Sequence, residues 1–402
     1  MPLDPALVRS LPKVALHDHL DGGLRPATVL ELSREQGLTP PGESAEQVAD
    51  WFHAAADSGS LPAYLATFER TVALMQTGPQ LRRIAREFVE DMVADGVVYA
   101  ETRWAPHQHT DGGLTLEGAV QAVQDGLDEG VAAARAGGSR IVVGQLLCYL
   151  RHLEPTDDLV DIALARRGAG VVGLDLAGPE AGFPASRFRA QFGRARAEGL
   201  RVTIHAGEAD GPSSIADALE CGAERIGHGV RLIEDIADTE GIEGTGDIEG
   251  TEGTEDTGDV EDGEPSAPGA GLAATAADLS APPRFGPVAD RIHRDRVCLE
   301  VCPSSNLQTG AATDMSSHPV GRLHELGFAV AVSSDNRLMS RTRTSRELAL
   351  SAAAHDWDLD DLERIALTAL DAGFAPAAER DALRDEVVLP AYRAARELSH
   401  QG

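Results

Sequence analysis

Four stretches of the chain carry side chains that could do chemistry together. His17 and His19 stand two apart in His17-Asp18-His19. Residues i and i+2 of a strand point the same way, so both imidazoles would face one side. His205 opens His205-Ala206-Gly207-Glu208, His228 sits in Gly227-His228-Gly229, and Asp335 in Ser334-Asp335-Asn336. A lone His-x-His occurs by chance and can be structural. A third histidine and a carboxylate at other strand ends change that reading. Three neutral imidazoles and one carboxylate suit a borderline divalent ion such as Zn2+, with an open position for water. Glu208, three residues after His205, is placed for proton transfer beside that water. The plainer reading is an acid favoured by a helix N-terminus. His228 reads as a fourth ligand, as a base and charge stabiliser, or as a core histidine satisfied by backbone.

Other candidates carry less. His107 and His109 form a second His-x-His, but they lie past Pro106 in loop sequence with no acid accompanying them, and they are set aside. Cys298 and Cys302 lack a second pair and read as buried thiols rather than a zinc knot. With Cys148 and Cys221 they are too scattered for a disulfide framework and read as reduced, cytosolic thiols. Lys13 is the single lysine, so no lysine elsewhere can form a Schiff base, grip a phosphate or, carbamylated, bridge two metals.

Strand ends must lie side by side to assemble such a site. Eight apolar runs read as strands: Lys13–His19, Val97–Trp104, Arg140–Leu147, Val171–Ala177, Arg201–His205, Arg225–His228, Val297–Cys302 and Phe328–Ser334. Helical sequence follows each, as in Leu81–Ala94, Leu116–Ala134, Thr156–Arg167, Ala185–Glu198 and Ser213–Cys221. This alternation predicts an α/β fold, a closed (β/α)8 TIM barrel, whose catalytic groups sit at the C-terminal ends of the strands. Ala45–Gln76 is an extra helical excursion after the first strand, and Ser345–Ser399 a helical tail.

Residues 1–402 read as one domain, interrupted at 238–287. Asp238 to Glu264 holds twelve acids and no base among Gly and Thr, and Pro- and Ala-rich sequence continues to about Pro287. Such composition cannot offset the entropy of ordering, so a disordered acidic surface insertion is expected.

The formal charge of −30 is the wrong sign for gripping phosphate backbones, so no nucleic-acid partner is expected. The longest uncharged apolar run, Ile141–Leu150, is too short to span a bilayer. No basic stretch followed by an apolar one opens the chain. No membrane association is expected, and the location expected is cytoplasmic. Protein partners stay open.

The blocks LPKVALHDHLDGGLRPATVLEL, VVGLDLAGPE, TIHAGEADGPSSIADAL, RIGHGVRL, CLEVCPSSN and SSDN resemble, in order, those of the adenosine/AMP deaminase family of metal-dependent amidohydrolases. The resemblance implies zinc-dependent hydrolytic deamination of adenosine, and of 2′-deoxyadenosine, to inosine or deoxyinosine plus ammonia, in purine salvage. It implies one Zn2+ on His17, His19, His205 and Asp335, with Glu208 donating a proton to purine N1. By the same similarity His228 would orient and help deprotonate the zinc-bound water. Asp21 would contact the ribose and Gly178 would present its backbone to the purine. The family's apolar lid has its counterpart in Leu61, Tyr64, Leu65 and Phe68; ordinary helix packing is the plainer account of that stripe. The family usually follows its ligand Asp with a second Asp contacting purine N7. Asn336 stands there, and Arg337 where a Pro often follows. An amide can donate to N7 without a proton of its own, so binding is expected to survive. Tyr64 stands where a Phe is usual.

Rival readings keep the fold. The same chemistry could act on adenine, adenosine monophosphate or aminofutalosine. Adenine-acting relatives tend to carry His-Leu-Glu-Gly where this chain has His19-Leu20-Asp21-Gly22. A monophosphate would want a basic cradle. A binuclear amidohydrolase would need the missing lysine, and a cytidine-deaminase-like scaffold a Pro-Cys-x-x-Cys pair, which is absent. A catalytically dead nucleoside-binding barrel is the rival from another class.

Overall fold

Eight parallel strands follow one another round a sheet in chain order. They are β1 (Lys13–His19), β2 (Val97–Trp104), β3 (Val142–Leu150), β4 (Val171–Ala177), β5 (Arg201–Ala206), β6 (Arg225–His228), β7 (Cys298–Val301) and β8 (Val330–Val332). The computed structural model describes residues 3–237 and 283–399. Just past β8, the Asp335 amide donates to the His17 carbonyl at 2.9 Å, and the His19 amide donates to the Asp335 carbonyl at 2.8 Å. A parallel bridge between Asp18 and Asp335 marks the same seam. The sheet thereby closes on itself as the expected (β/α)8 barrel.

All seven residues of β1 and all eight of β2 are buried, because barrel interior and helical layer cover the two faces. β3 extends three residues past the expected end. Cys148, Tyr149 and Leu150 pair with Asp175, Leu176 and Ala177, so pairing with β4 carries the strand on. β8 stops short of its expected end, since Asp335 turns to φ +57°.

The helix expected from Leu81 begins at Gly78, where Thr77 and Gln80 form a reciprocal capping box. The excursion after β1 divides into Ala45–Ala56, Leu61–Leu65 and Phe68–Val72. The tail folds as Thr344–His355, Leu359–Ala372, Ala377–Leu383 and Leu389–Ser399, joined to the last by a π-helical turn, Arg384–Val388. It seals the barrel floor: Arg225 lies over the Phe374 ring at 3.5 Å and pairs with Glu101 at 2.5 Å. Among the described residues no helix is long and apolar enough to cross a membrane.

The expected insertion lies outside the described residues from 238 to 282. Its expected last residues carry regular structure: Arg284–Phe285 pairs antiparallel with Ile236–Ala237, and Pro287 opens the helix Pro287–Arg294.

Candidate active site

β1 turns His17 and His19 to the barrel mouth, and β5 delivers His205 beside them. The Nε2 atoms of His19 and His205 are 3.2 Å apart. Asp335 Oδ1 is 3.5 Å from His17 Nε2 and 3.4 Å from His19 Nε2. The ring centroid of His17 is 4.5 Å from that of His205 and 4.8 Å from that of His228. Of the non-glycine residues with positive φ, two are His228 (+59°) and Asp335 (+57°). Strained backbone of this kind persists where surrounding structure over-determines it.

Behind the histidines stands a charged layer. His17 Nδ1 is 3.1 Å from Glu300 Oε2, and His205 Nδ1 is 3.1 Å from Asp175 Oδ1. Arg103 donates to both carboxylates, to Asp175 at 3.0 Å and to Glu300 at 2.6 Å. Engaging Nδ1 leaves Nε2 facing inward, the usual arrangement for a metal-ligating histidine.

The donor set fits a divalent ion. His17 Nε2 is buried without a hydrogen-bond partner. Burial lowers the His19 pKa to about 3 and that of His205 below its ordinary value, keeping both lone pairs free. Burial and Arg103 also lower that of His17, but the nearby carboxylates of Asp335 and Glu300 outweigh them and raise it. A metal would take that proton's place.

Glu208 follows β5 in a turn. Gly207 makes that turn at φ +72°, where an added Cβ would lie 2.5 Å from Ile215 Cδ1. The Glu208 carboxyl accepts from the Thr309 hydroxyl at 3.1 Å, and its Oε2 lies 3.6 Å from His228 Nε2. Burial first, then the charges of Asp335 and Glu180, push it well above the usual carboxylate range. Burial holds His228 well below the usual histidine range, helped by His17. The Asn306 carboxamide, 3.1 Å from His228 Nδ1, governs which ring nitrogen carries the proton.

A cavity of about 350 Å3 opens beside the histidines, walled by His19, Asp21, Leu65, Phe68, Ala177 and Gly178 among others, with no arginine or lysine. That lies within the roughly 300–1,000 Å3 of small-molecule sites. Leu61 and Tyr64, expected to share the lid stripe, are buried away from this wall. The chain tightens at Ala66 and Thr67, where the Thr67 hydroxyl donates to the Tyr64 carbonyl, so the stripe is not one helical face. Asn336 is buried against Gly22, whose added Cβ would fall 1.8 Å from Asn336 Oδ1.

Some residues escaped sequence reasoning. Asp175 and Glu300 are charges inside otherwise apolar strand runs, a signal in itself, because a buried charge needs a partner. Arg103, Glu180, Asn306 and Thr309 gave no local signal. His109 corrects an expectation: it is buried, with Nε2 3.8 Å from Asp21 Oδ2 and Nδ1 3.1 Å from the Met75 carbonyl. An acid therefore does accompany it. His107 stays at the surface, 3.2 Å from Asp158 Oδ2. Cys298 and Cys302 are buried free thiols, as expected.

Nitrogen and oxygen donors converging at the C-terminal mouth of a (β/α)8 barrel define a metal-dependent amidohydrolase. Residues 12–390 match the family model described as Adenosine deaminase. The chain belongs to the adenosine deaminase family. It is 44% identical over 390 residues to Adenosine deaminase 1 of Streptomyces coelicolor, across 96% of this chain and 89% of that one. It is 42% identical over 392 residues to the adenosine deaminase of Mycobacteroides abscessus, across 97% and 98%. Its structure is similar to that of the arabidopsis N6-mAMP deaminase, at 25% identity and TM-score 0.72, covering 94% and 98% of the two chains. The reaction is the hydrolytic deamination of adenosine.

Proposed function

We propose that the deamination runs on one Zn2+ held by His17, His19, His205 and Asp335, and extends to 2′-deoxyadenosine. The observation that carries this reading is the approach of Asp335 to His17 and His19, and of His205 to His19, beside a buried carboxyl, Glu208. Zinc in such a site supplies a water acidic enough to ionise near neutral pH.

The remaining work falls to the chain's own groups. Glu208, neutral through burial, donates its proton to purine N1 and makes C6 electron-poor. His228, also neutral, receives the proton of the attacking water and aims it at one face of the ring. The amino group at C6 takes up the proton held by His228 and leaves as ammonia, and the hydroxyl that replaces it returns a proton to Glu208. Asp21 holds the ribose, Gly178 faces the purine with its backbone, and Asn336 donates to N7. Leu65 and Phe68 keep bulk water from the cavity, and Leu61 and Tyr64 anchor the same segment by their burial.

The wall without arginine or lysine favours an uncharged nucleoside over a monophosphate. The four free, buried cysteines support a reducing, cytoplasmic setting, and the product suits purine salvage. No nucleic-acid or membrane partner belongs to this reading.

The test offers the purified protein adenosine, deoxyadenosine, adenine, adenosine monophosphate and aminofutalosine, and follows the ultraviolet shift. The two nucleosides should give the highest kcat/KM. A higher value for adenine, the monophosphate or aminofutalosine would displace this substrate reading.

A further inference from the structure

Residues 207–210 belong to no helix or strand; the next helix begins at Pro212. Their four amides find no backbone acceptor. All four donate to one side chain, Glu180, in the loop after β4. Its Oε1 accepts from Gly207 at 2.6 Å, and its Oε2 from Glu208 at 3.0 Å, Ala209 at 2.7 Å and Asp210 at 3.0 Å. The Ser214 hydroxyl donates to Oε1 at 2.6 Å. Five donors meet a group with about four lone-pair sites, so its capacity is filled. Successive amides curled round an anion form a nest, here built inside the protein around its own carboxylate. Glu180 is 4% exposed, so bulk water cannot take over if it is removed.

The same loop carries Gly178, two residues earlier, which walls the cavity at φ +97°. Glu180 therefore ties the loop after β4, which shapes the cavity, to the turn after β5, which bears Glu208. Arg231 holds the far side of that turn, donating its amide to the Gly207 carbonyl at 2.9 Å and its guanidinium to the Ala209 carbonyl at 2.8 Å. Neither contact replaces an acceptor for the four amides.

We infer that Glu180 is a positioning residue: it does not touch substrate, but its carboxylate fixes the turn that aims Glu208 at the reacting ring. This inference rests on the proposed role of Glu208. Gln at 180 turns an amide donor toward amide donors, so the turn must shift. A misplacement of about 1 Å can lower turnover on the order of a hundredfold.

The experiment is a double-mutant cycle on the full, metal-loaded chain. Glu180→Gln should lower kcat about ten- to a hundredfold, with KM for adenosine and metal content close to the parent's. In a Glu208→Gln background the same change should lower kcat less than about threefold, because a side chain that cannot release a proton no longer limits turnover by its aim. An equal loss in both backgrounds, or a kcat within about threefold of the parent for the single variant, overturns the inference. A near-normal kcat for Glu208→Gln alone would instead remove the proposed role of Glu208. Should Glu180→Gln fail to fold, Glu180→Asp keeps the charge but withdraws the carboxylate by one methylene from the four amides. A loss in kcat of about three- to tenfold, confined to the Glu208 background, then supports the inference, and an unchanged kcat overturns it.

Discussion

Glu208 Oε2 stands 3.6 Å from His228 Nε2, and the same burial drives the two groups in opposite directions. The carboxyl rises above its ordinary range and the imidazole falls below its own, so both are neutral side by side. An acid and a base that share a site without forming an ion pair are the groups suited to pass protons at neutral pH. Glu208→Gln keeps shape and removes the transferable proton. It should lower kcat by more than about a hundredfold while the metal is retained, measured by turnover and metal content.

The pH profile follows from the same pair. Activity needs Glu208 protonated, so kcat falls as pH rises through its raised pKa. It needs His228 neutral, so kcat falls as pH drops through its lowered one. The acid limb should lie below the ordinary histidine value of about 6.5. An acid limb above it, in a full kcat profile, would show that His228 is not the base.

Metal removal is the next test. Chelation should abolish turnover and lower the melting temperature, and zinc should restore both at one ion per chain. At a hundredfold excess over its Kd a bound ion stabilises by about 2.7 kcal/mol. Two ions per chain, or a fully active metal-free protein, would be incompatible with the one-zinc reading.

Asp175 lies behind His205 and also holds Arg103. Asp175→Asn should weaken metal affinity about 10–100-fold, with kcat recovering at saturating zinc. Competition against a coloured chelator measures the affinity; unchanged affinity would confine Asp175 to structure.

Asn336 offers an amide where a carboxyl would have to be protonated to donate. Asn336→Asp should therefore make kcat/KM for adenosine fall with rising pH as the new carboxyl ionises, a second fall added to the one that Glu208 gives the parent. 7-Deazaadenosine, which lacks the N7 acceptor, should be a poorer substrate for the parent by about tenfold, the worth of one hydrogen bond to a neutral partner. Equal kcat/KM for both compounds would place Asn336 away from N7.

Ile236 pairs with Phe285 and Ala237 with Arg284, so the chain leaves and rejoins the fold at neighbouring points. Replacing residues 240–280 by a short turn should leave kcat and KM within about twofold, as loop length alone has little thermodynamic weight. A large loss would mean that the acidic stretch reaches the barrel mouth.

Much of this molecule was legible in its sequence, for a local reason. Strand side chains alternate in direction, and barrel strands end at one face. His17 with His19, then His205, His228 and Asp335, at the ends of β1, β5, β6 and β8, therefore pointed to both the barrel and its candidate site. What surrounds those residues was decided only by closure of the sheet. Glu300 reaches His17 across 283 positions, and Ser334 donates to Asp18 across 316. Glu180 meets its turn from the neighbouring loop, His109 comes to rest beside Asp21, and the lid stripe divides at Ala66. Periodicity assigns an element and its buried face. Which distant groups then come within hydrogen-bond reach depends on strand stagger and loop path, and no local pattern encodes those.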